Sequence, residues 1–230
     1  MDDRLNRLER MGLNSARLDC LLGLADVRPA TVEDAAAIAA IYNQTALNGQ
    51  TSPTNIELSE VGIRQMVGDL QGTGWPFYVF TTHDEVAGYV FLKHFSWEPQ
   101  ACMATAELNV YISAPWRNVG LGIHMAGFIY TLADSAGCSN VACWIMDINS
   151  ASHRLARATG CVEWAKFPKL TRSAGALVDV SVVGNSVDAF FATNWGRRIR
   201  QRQAAAWRTF EQRAATALTD NPNAVTEIEL

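Results

Sequence analysis

No apolar run in this 230-residue chain approaches the about 20 residues that a membrane-spanning helix needs, so no membrane partner is expected. Met1-Asp-Asp-Arg lacks the basic-then-apolar order of a secretory signal. No Cys-x-x-Cys pair occurs. The five cysteines (Cys20, Cys102, Cys138, Cys143, Cys161) are odd in number and lie mostly among apolar residues, as reduced core thiols do. No cluster of His, Cys or carboxylates has ligand spacing, so no metal is expected. The formal charge is −4, which gives no bulk affinity for nucleic acid. There is no internal repeat and no low-complexity tract. What remains, 49% hydrophobic and 18% charged, describes a globular chain, expected to be cytoplasmic.

One stretch organises the rest: Val110-Tyr-Ile-Ser-Ala-Pro-Trp-Arg-Asn-Val-Gly-Leu-Gly-Ile-His-Met125. Residues 103–112 read as a strand rich in β-branched and aromatic side chains. Pro115 interrupts it, Arg117-Asn-Val-Gly120-Leu-Gly122 follows, and Met125, Phe128, Ile129 and Leu132 then recur at helical spacing. A strand, a glycine turn and a helix N-terminus make an anion site, because successive N–H groups converge with the positive end of the helix dipole. Arg117 adds a full charge, and phosphate or pyrophosphate is the natural ligand. The stretch is not a P-loop, since Ile123-His124 stands where Gly-Lys would be. Nor is it a dinucleotide turn, since Met125 occupies the third glycine position.

The pattern predicts one or two short amphipathic helices over 1–25 and a strand over 24–30. A helix capped by Thr31-Val-Glu-Asp34 and containing Ile38, Ile41 and Tyr42 follows. A second helix covers 58–70. Strands at 76–82 and 86–96 form a hairpin, with His83 and His94 on its surface. The strand before the glycine turn covers 101–113, and the helix after it ends near Gly137. Then come a strand at 140–147, a helix at 150–159 and strands at 160–166 and 177–183.

Several spaced motifs resemble the GNAT (Gcn5-related) N-acetyltransferases, and within them the phosphinothricin acetyltransferase branch. Arg117-x-x-Gly-x-Gly122 is similar to their coenzyme A pyrophosphate loop. Val27-Arg-Pro-Ala-Thr-x-x-Asp34 with Ile38-x-x-Ile-Tyr-Asn43 resembles the opening of the branch, and Ala87-Gly-Tyr89 its hairpin. Thr105-Ala-Glu107-Leu-Asn-Val-Tyr-Ile112 resembles its Thr-Val-Glu-x-Ser-Val-Tyr-Val strand. Asn149-x-x-Ser152-x-x-Leu155 before Gly160 resembles its fourth-helix signature, and Leu177-Val-Asp-Val180 its final strand.

The resemblance implies an α/β GNAT fold: a mixed twisted sheet with helices on both faces, over 26–185. Helical extensions at 1–25 and 186–230 lie outside the family pattern. It implies acetyl-CoA as cosubstrate and direct acetyl transfer to the amine of a small molecule, an amino acid or an analogue of one. Val110, Tyr111 and Ile112 would line the pantetheine arm. Arg117, Asn118, Val119, Gly120, Leu121, Gly122 and Ile123 would hold the pyrophosphate, and Asn149 would also meet the coenzyme. A backbone N–H near Val110 or Tyr111 would polarise the thioester, and Glu107 would act as general base.

Departures matter as much. Ala156 replaces the Tyr or His that serves many relatives as general acid. The Arg-x-Arg-x-Ala-Tyr run of the phosphinothricin enzymes becomes Trp97-Glu-Pro-Gln-Ala-Cys102, and Leu177 replaces a tryptophan. Trp75, Phe77 and Trp97 are candidates for the acceptor pocket or, equally, for the core. In the tail, Phe190, Phe191, Trp195 and Ile199, then Trp207 and Phe210, share one helical stripe decorated by arginines. Its apolar face is expected to pack on the domain or across a homodimer, with no nucleic-acid or membrane role. A tailoring or protein-directed acyltransferase and a non-catalytic acyl-CoA-binding protein remain the alternative functions.

Overall fold

The computed structural model describes residues 26–46, 56–82, 85–95, 102 and 104–201. The helices expected over 1–25, the turn at His83, the candidate Trp97 and the tail aromatics Trp207 and Phe210 lie outside them.

Strand β1 (Asp26–Pro29) leads into the first helix through a charged cap. The Asp34 carboxylate accepts the Thr31 N–H at 2.8 Å and two bonds of 2.7 Å from the Arg28 guanidinium. Those Arg28 bonds, with the Thr31 N–H, hold the buried Asp34 carboxyl below its usual pKa against the opposing effect of burial. Helix α1 (Ala35–Ala46) follows, and then α2 (Glu60–Gly72), whose first turn is capped by Ser59 Oγ accepting from Gly62 N–H at 3.1 Å.

Strands β2 (Phe77–Thr82), β3 (Glu85–His94) and β4 (Thr105–Ile112) precede helix α3 (Leu121–Ser135). Strand β5 (Asn140–Met146), helix α4 (Ser150–Ala158), strands β6 (Val162–Ser173) and β7 (Ala176–Ser186) and helix α5 (Val187–Phe191) complete the order. The seven strands lie in the order β1-β2-β3-β4-β5-β7-β6, and every neighbouring pair is antiparallel except β4 with β5.

Alternation along the strands gives the sheet two apolar faces. Phe77, Val79, Tyr89 and Phe91 point towards α1 and α2, where Ile38, Ile41, Ile63 and Val67 meet them. Tyr78 and Phe80 point the other way, onto Phe128 of α3. Each fully buried isoleucine contributes about 1.5–3 kcal/mol of transfer free energy. The fold is therefore the expected α/β one, a mixed sheet with helices on both faces. At Gly88 there is no room for a side chain, since a Cβ there would lie 2.7 Å from the Tyr111 carbonyl oxygen on the next strand and 2.9 Å from Met125 Cε of α3.

Strand β6 runs past the expected end at 166, to Ser173. Pro168 hides this in the sequence because it breaks the alternation. The ladder absorbs it in an irregularity between Phe167 and Thr171, where Lys169 has φ 53° and donates its N–H to Asp179 Oδ1. The hairpin closes at Ala174 and Gly175, both with positive φ, a turn whose twist suits paired strands.

The first compact unit runs to Phe190, and the second begins at Phe191. Within the first, the fully buried Phe190 ring stacks on Tyr130 with centroids 3.8 Å apart. Within the second, 194–201 is helical and the Arg200 guanidinium lies 4.2 Å from the centre of the Phe191 ring. No helix among the described residues is long and apolar enough to cross a membrane.

Candidate active site

The site begins where two strands part. Along β4, every residue from Ala106 to Ile112 pairs with β3, but only Thr105, Ala106 and Glu107 pair with β5, opposite Asn140, Val141 and Ala142. Beyond that point Cys143–Met146 pair with β7 alone. The Ser113 N–H donates to the Ala87 carbonyl at 2.9 Å, so odd-numbered residues of β4 direct their backbone groups to β3. Leu108, Val110 and Ile112 consequently direct theirs into the opening. Ile112 is partly engaged, since its carbonyl accepts the Arg117 Nε–H at 3.0 Å. Tyr111 sits differently: its ring stacks on Tyr89 at 4.8 Å in the α1–α2 layer.

After β4 the chain makes one 3₁₀ turn, Ala114–Trp116, and enters the glycine loop. Asn118 has φ 63° and Gly120 φ 95°, left-handed conformations that Asn tolerates and Gly favours. Helix α3 then starts at Leu121, with the His124 N–H reaching the Gly120 carbonyl at 3.4 Å. The N–H groups of Leu121, Gly122 and Ile123 belong to the first turn, which has no earlier helical carbonyls to bond. Beside them, Arg117 Nη2 is buried without a hydrogen-bond partner. Gly122 is held close to β4, because a Cβ there would meet Ile112 Cδ1 at 3.0 Å. Val119 stays exposed.

Glu107 lies at the fork itself. Its side chain is 14% exposed and shares a sheet face with Ala142 and, two residues on, Trp144. Lys93 stands directly opposite it on β3, with Nζ 3.1 Å from Oε1. Burial pushes the Glu107 carboxyl pKa up. Lys93, Asn109 and Trp144 pull it back, but the net shift is upward.

Asn149 caps α4, its Oδ1 accepting the Ser152 N–H at 3.0 Å. Ala156 is buried in a cluster with Cys143, Ile145, Cys161 and Val183, against which Leu108 packs, so this helix offers a methyl group to the opening. Burial raises the pKa of the Cys143 thiol.

Trp75 and Phe77 are both closed from solvent. The Trp75 indole N–H donates to His94 Nε2 at 3.2 Å, and Phe77 packs between Tyr89 and Phe91. His94 is thus a packed partner of Trp75, not a loose surface residue. A different set of aromatics stands beside Glu107. Phe95 stacks on Trp144 with centroids 5.9 Å apart, and Trp144 meets Phe167 at 5.5 Å. Trp144 and Phe167 remain 39% and 37% exposed. In the sequence only Trp144 offered a signal, as a large ring in an otherwise buried-looking strand.

Residues 26–162 match the family described as acetyltransferase (GNAT) domain. The chain belongs to the GNAT acetyltransferase family. Over 163 residues it is 26% identical to YwnH of Bacillus subtilis (strain 168), a protein named as a candidate phosphinothricin acetyltransferase, covering 70% of this chain and 98% of that one. Among solved structures it resembles yncA, a candidate acetyltransferase of Salmonella typhimurium with its cofactor acetyl-CoA, at TM-score 0.68 and 23% identity over 71% of this chain and 94% of that one. It also resembles a phosphinothricin acetyltransferase of Sinorhizobium meliloti in complex with acetyl-CoA, at TM-score 0.67 and 22% identity over 71% and 88%.

Proposed function

We propose that the chain transfers an acetyl group from acetyl-CoA to the amine of a small molecule, with Glu107 as general base acting directly or through water. The observation that carries this reading is the mostly buried carboxylate of Glu107 at the point where β4 and β5 part. The residues fit the coenzyme. The partnerless Arg117 Nη2, the left-handed turn at Asn118 and Gly120 and the first turn of α3 suit a pyrophosphate, and the edge of β4 at Leu108 and Val110 suits an amide-bearing arm. When bound, acetyl-CoA supplies a thioester carbonyl whose C–S bond is exchanged for a C–N bond to the amine, with coenzyme A leaving as the thiol.

Each group of the protein has a bounded task. The Val110 N–H, directed into the opening, is the donor that suits a polarised carbonyl oxygen. Glu107 takes the proton that the amine loses, and its raised pKa makes it a stronger base than an exposed glutamate. With a methyl group at Ala156, the departing sulfur draws its proton from water or from the amine's own proton relayed by Glu107. Much of the rate then comes from holding two substrates together. A homodimer belongs to the same reading, and the mass in solution tests it. Coenzyme A release with a panel of amines tests the reading as a whole: release that depends on an amine supports it, and acetyl-CoA binding without release to any amine refutes it.

A further inference from the structure

We infer that Phe95, Trp144 and Phe167 form the binding shelf for the acceptor, and that the amine acetylated here carries an aromatic ring. The inference rests on the proposed acetyl transfer at Glu107. The three rings come from the end of β3, where Phe95 follows His94, and from β5 and β6, yet they form one row: Phe95 with Trp144 at an interplanar angle of 19°, and Trp144 with Phe167 at 34°. Register places the row on the Glu107 face. Lys93 opposes Glu107 and Phe95 is two residues further on, while Ala142 opposes Glu107 and Trp144 is two residues further on. Trp144 is also the first side chain on that face after β4 and β5 separate. It therefore flanks the mouth from which an acyl group threaded through the opening would emerge.

Chemistry selects the occupant. The exposed faces of Trp144 and Phe167 offer flat apolar area, on which a ring gains both burial and stacking. The row lies beside the Glu107 carboxylate, which suits an ammonium group about to lose its proton. Trp144 acts directly on that carboxylate, being one of the groups that lower its pKa. Lys93, the neighbouring cation, is already engaged by Glu107, so a carboxylate or phosphinate on the acceptor would have to compete for it. An arylalkylamine satisfies both the carboxylate and the rings. A small anionic amino acid satisfies only the carboxylate, through its ammonium group, and leaves the rings uncovered.

The test compares 2-phenylethylamine and tryptamine with glycine and phosphinothricin, by coenzyme A release and by calorimetric binding, in wild type, Trp144→Ala and Phe167→Ala. Both substitutions remove half-exposed rings, so the fold should survive, and a melting curve checks it. The arylalkylamines should be preferred, and each substitution should raise their KM about tenfold or more while leaving the KM for acetyl-CoA unchanged. Turnover without ring preference, or an unchanged KM for arylalkylamines in both variants, overturns the shelf and leaves acetyl transfer standing. Ring-dependent binding that Trp144→Ala abolishes, with no release to any amine, keeps the shelf and refutes the acetyltransferase reading. If Trp144→Ala instead dissociates a dimer in sedimentation and leaves arylalkylamine KM unchanged, the rings cover a second copy and the inference is wrong.

Discussion

Lys93 and Glu107 face each other across the β3–β4 ladder with Nζ and Oε1 3.1 Å apart, one side chain 46% exposed and the other 14%. The pair is asymmetric: the lysine reaches in from water to a carboxylate that burial would otherwise drive towards its neutral form. Glu107 needs to be ionised to accept a proton and poorly solvated to be a strong base. Lys93 moderates the second condition so that the first is met.

Removing that charge should therefore shift the acidic limb of the kcat/KM profile. Lys93→Met is expected to move it to higher pH, because the cation lowers the Glu107 pKa and its loss raises it. Lys93→Arg should restore the wild-type limb. A limb that does not move in Lys93→Met separates the pair from the titration.

Arg117 is tested by affinity. Its Nε ties down the Ile112 carbonyl, while Nη2 has no partner in the protein. Arg117→Ala should weaken acetyl-CoA binding about 10- to 100-fold, the loss of a charge-assisted hydrogen bond, and shrink the melting-temperature rise that acetyl-CoA produces. Equal affinity in the variant would remove Arg117 from the pyrophosphate site.

Asp34 is tested by stability against pH. Its folded pKa is depressed, so its contribution is present above the unfolded carboxylate pKa and is lost as pH falls through the folded value. Asp34→Asn should cost about 2 kcal/mol near neutral pH through the lost Arg28 and Thr31 bonds, and progressively less in acid. A stability difference that is constant between neutral pH and strong acid contradicts the ion pair as its source.

These charged links also mark what the sequence could and could not disclose. The Thr31–Asp34 cap, the strand through Glu107 and the start of a helix at Leu121 are local, and composition with spacing reveals them. Register is not local. That Lys93 opposes Glu107, that β4 and β5 separate one residue later, and that Phe95, Trp144 and Phe167 align from three separate segments all depend on pairings between distant parts of the chain. Trp75 and Phe77 were ambiguous for the same reason, since an aromatic residue lining a pocket and one filling a core look alike until the facing layer is known. Pro168 concealed the second half of β6 because a bulge can accommodate what a regular strand cannot.

Phe190 shows where the first compact unit ends. Its ring is fully buried on Tyr130, so Phe190→Ala should destabilise the unit by about 3–5 kcal/mol in chemical denaturation. A chain ending at 185 should suffer at least as much, whereas one ending at 192 should keep acetyl-CoA binding. Equal stability of the two truncated chains would contradict this boundary.

The most direct measurement is the pH dependence of turnover in Glu107→Gln, with acetyl-CoA affinity determined on the same protein. The account predicts unchanged affinity, turnover lower by about a hundredfold or more, and loss of the acidic limb. Full activity across the pH range would contradict it, leaving Glu107 as a structural partner of Lys93 and acetyl transfer to positioning and water.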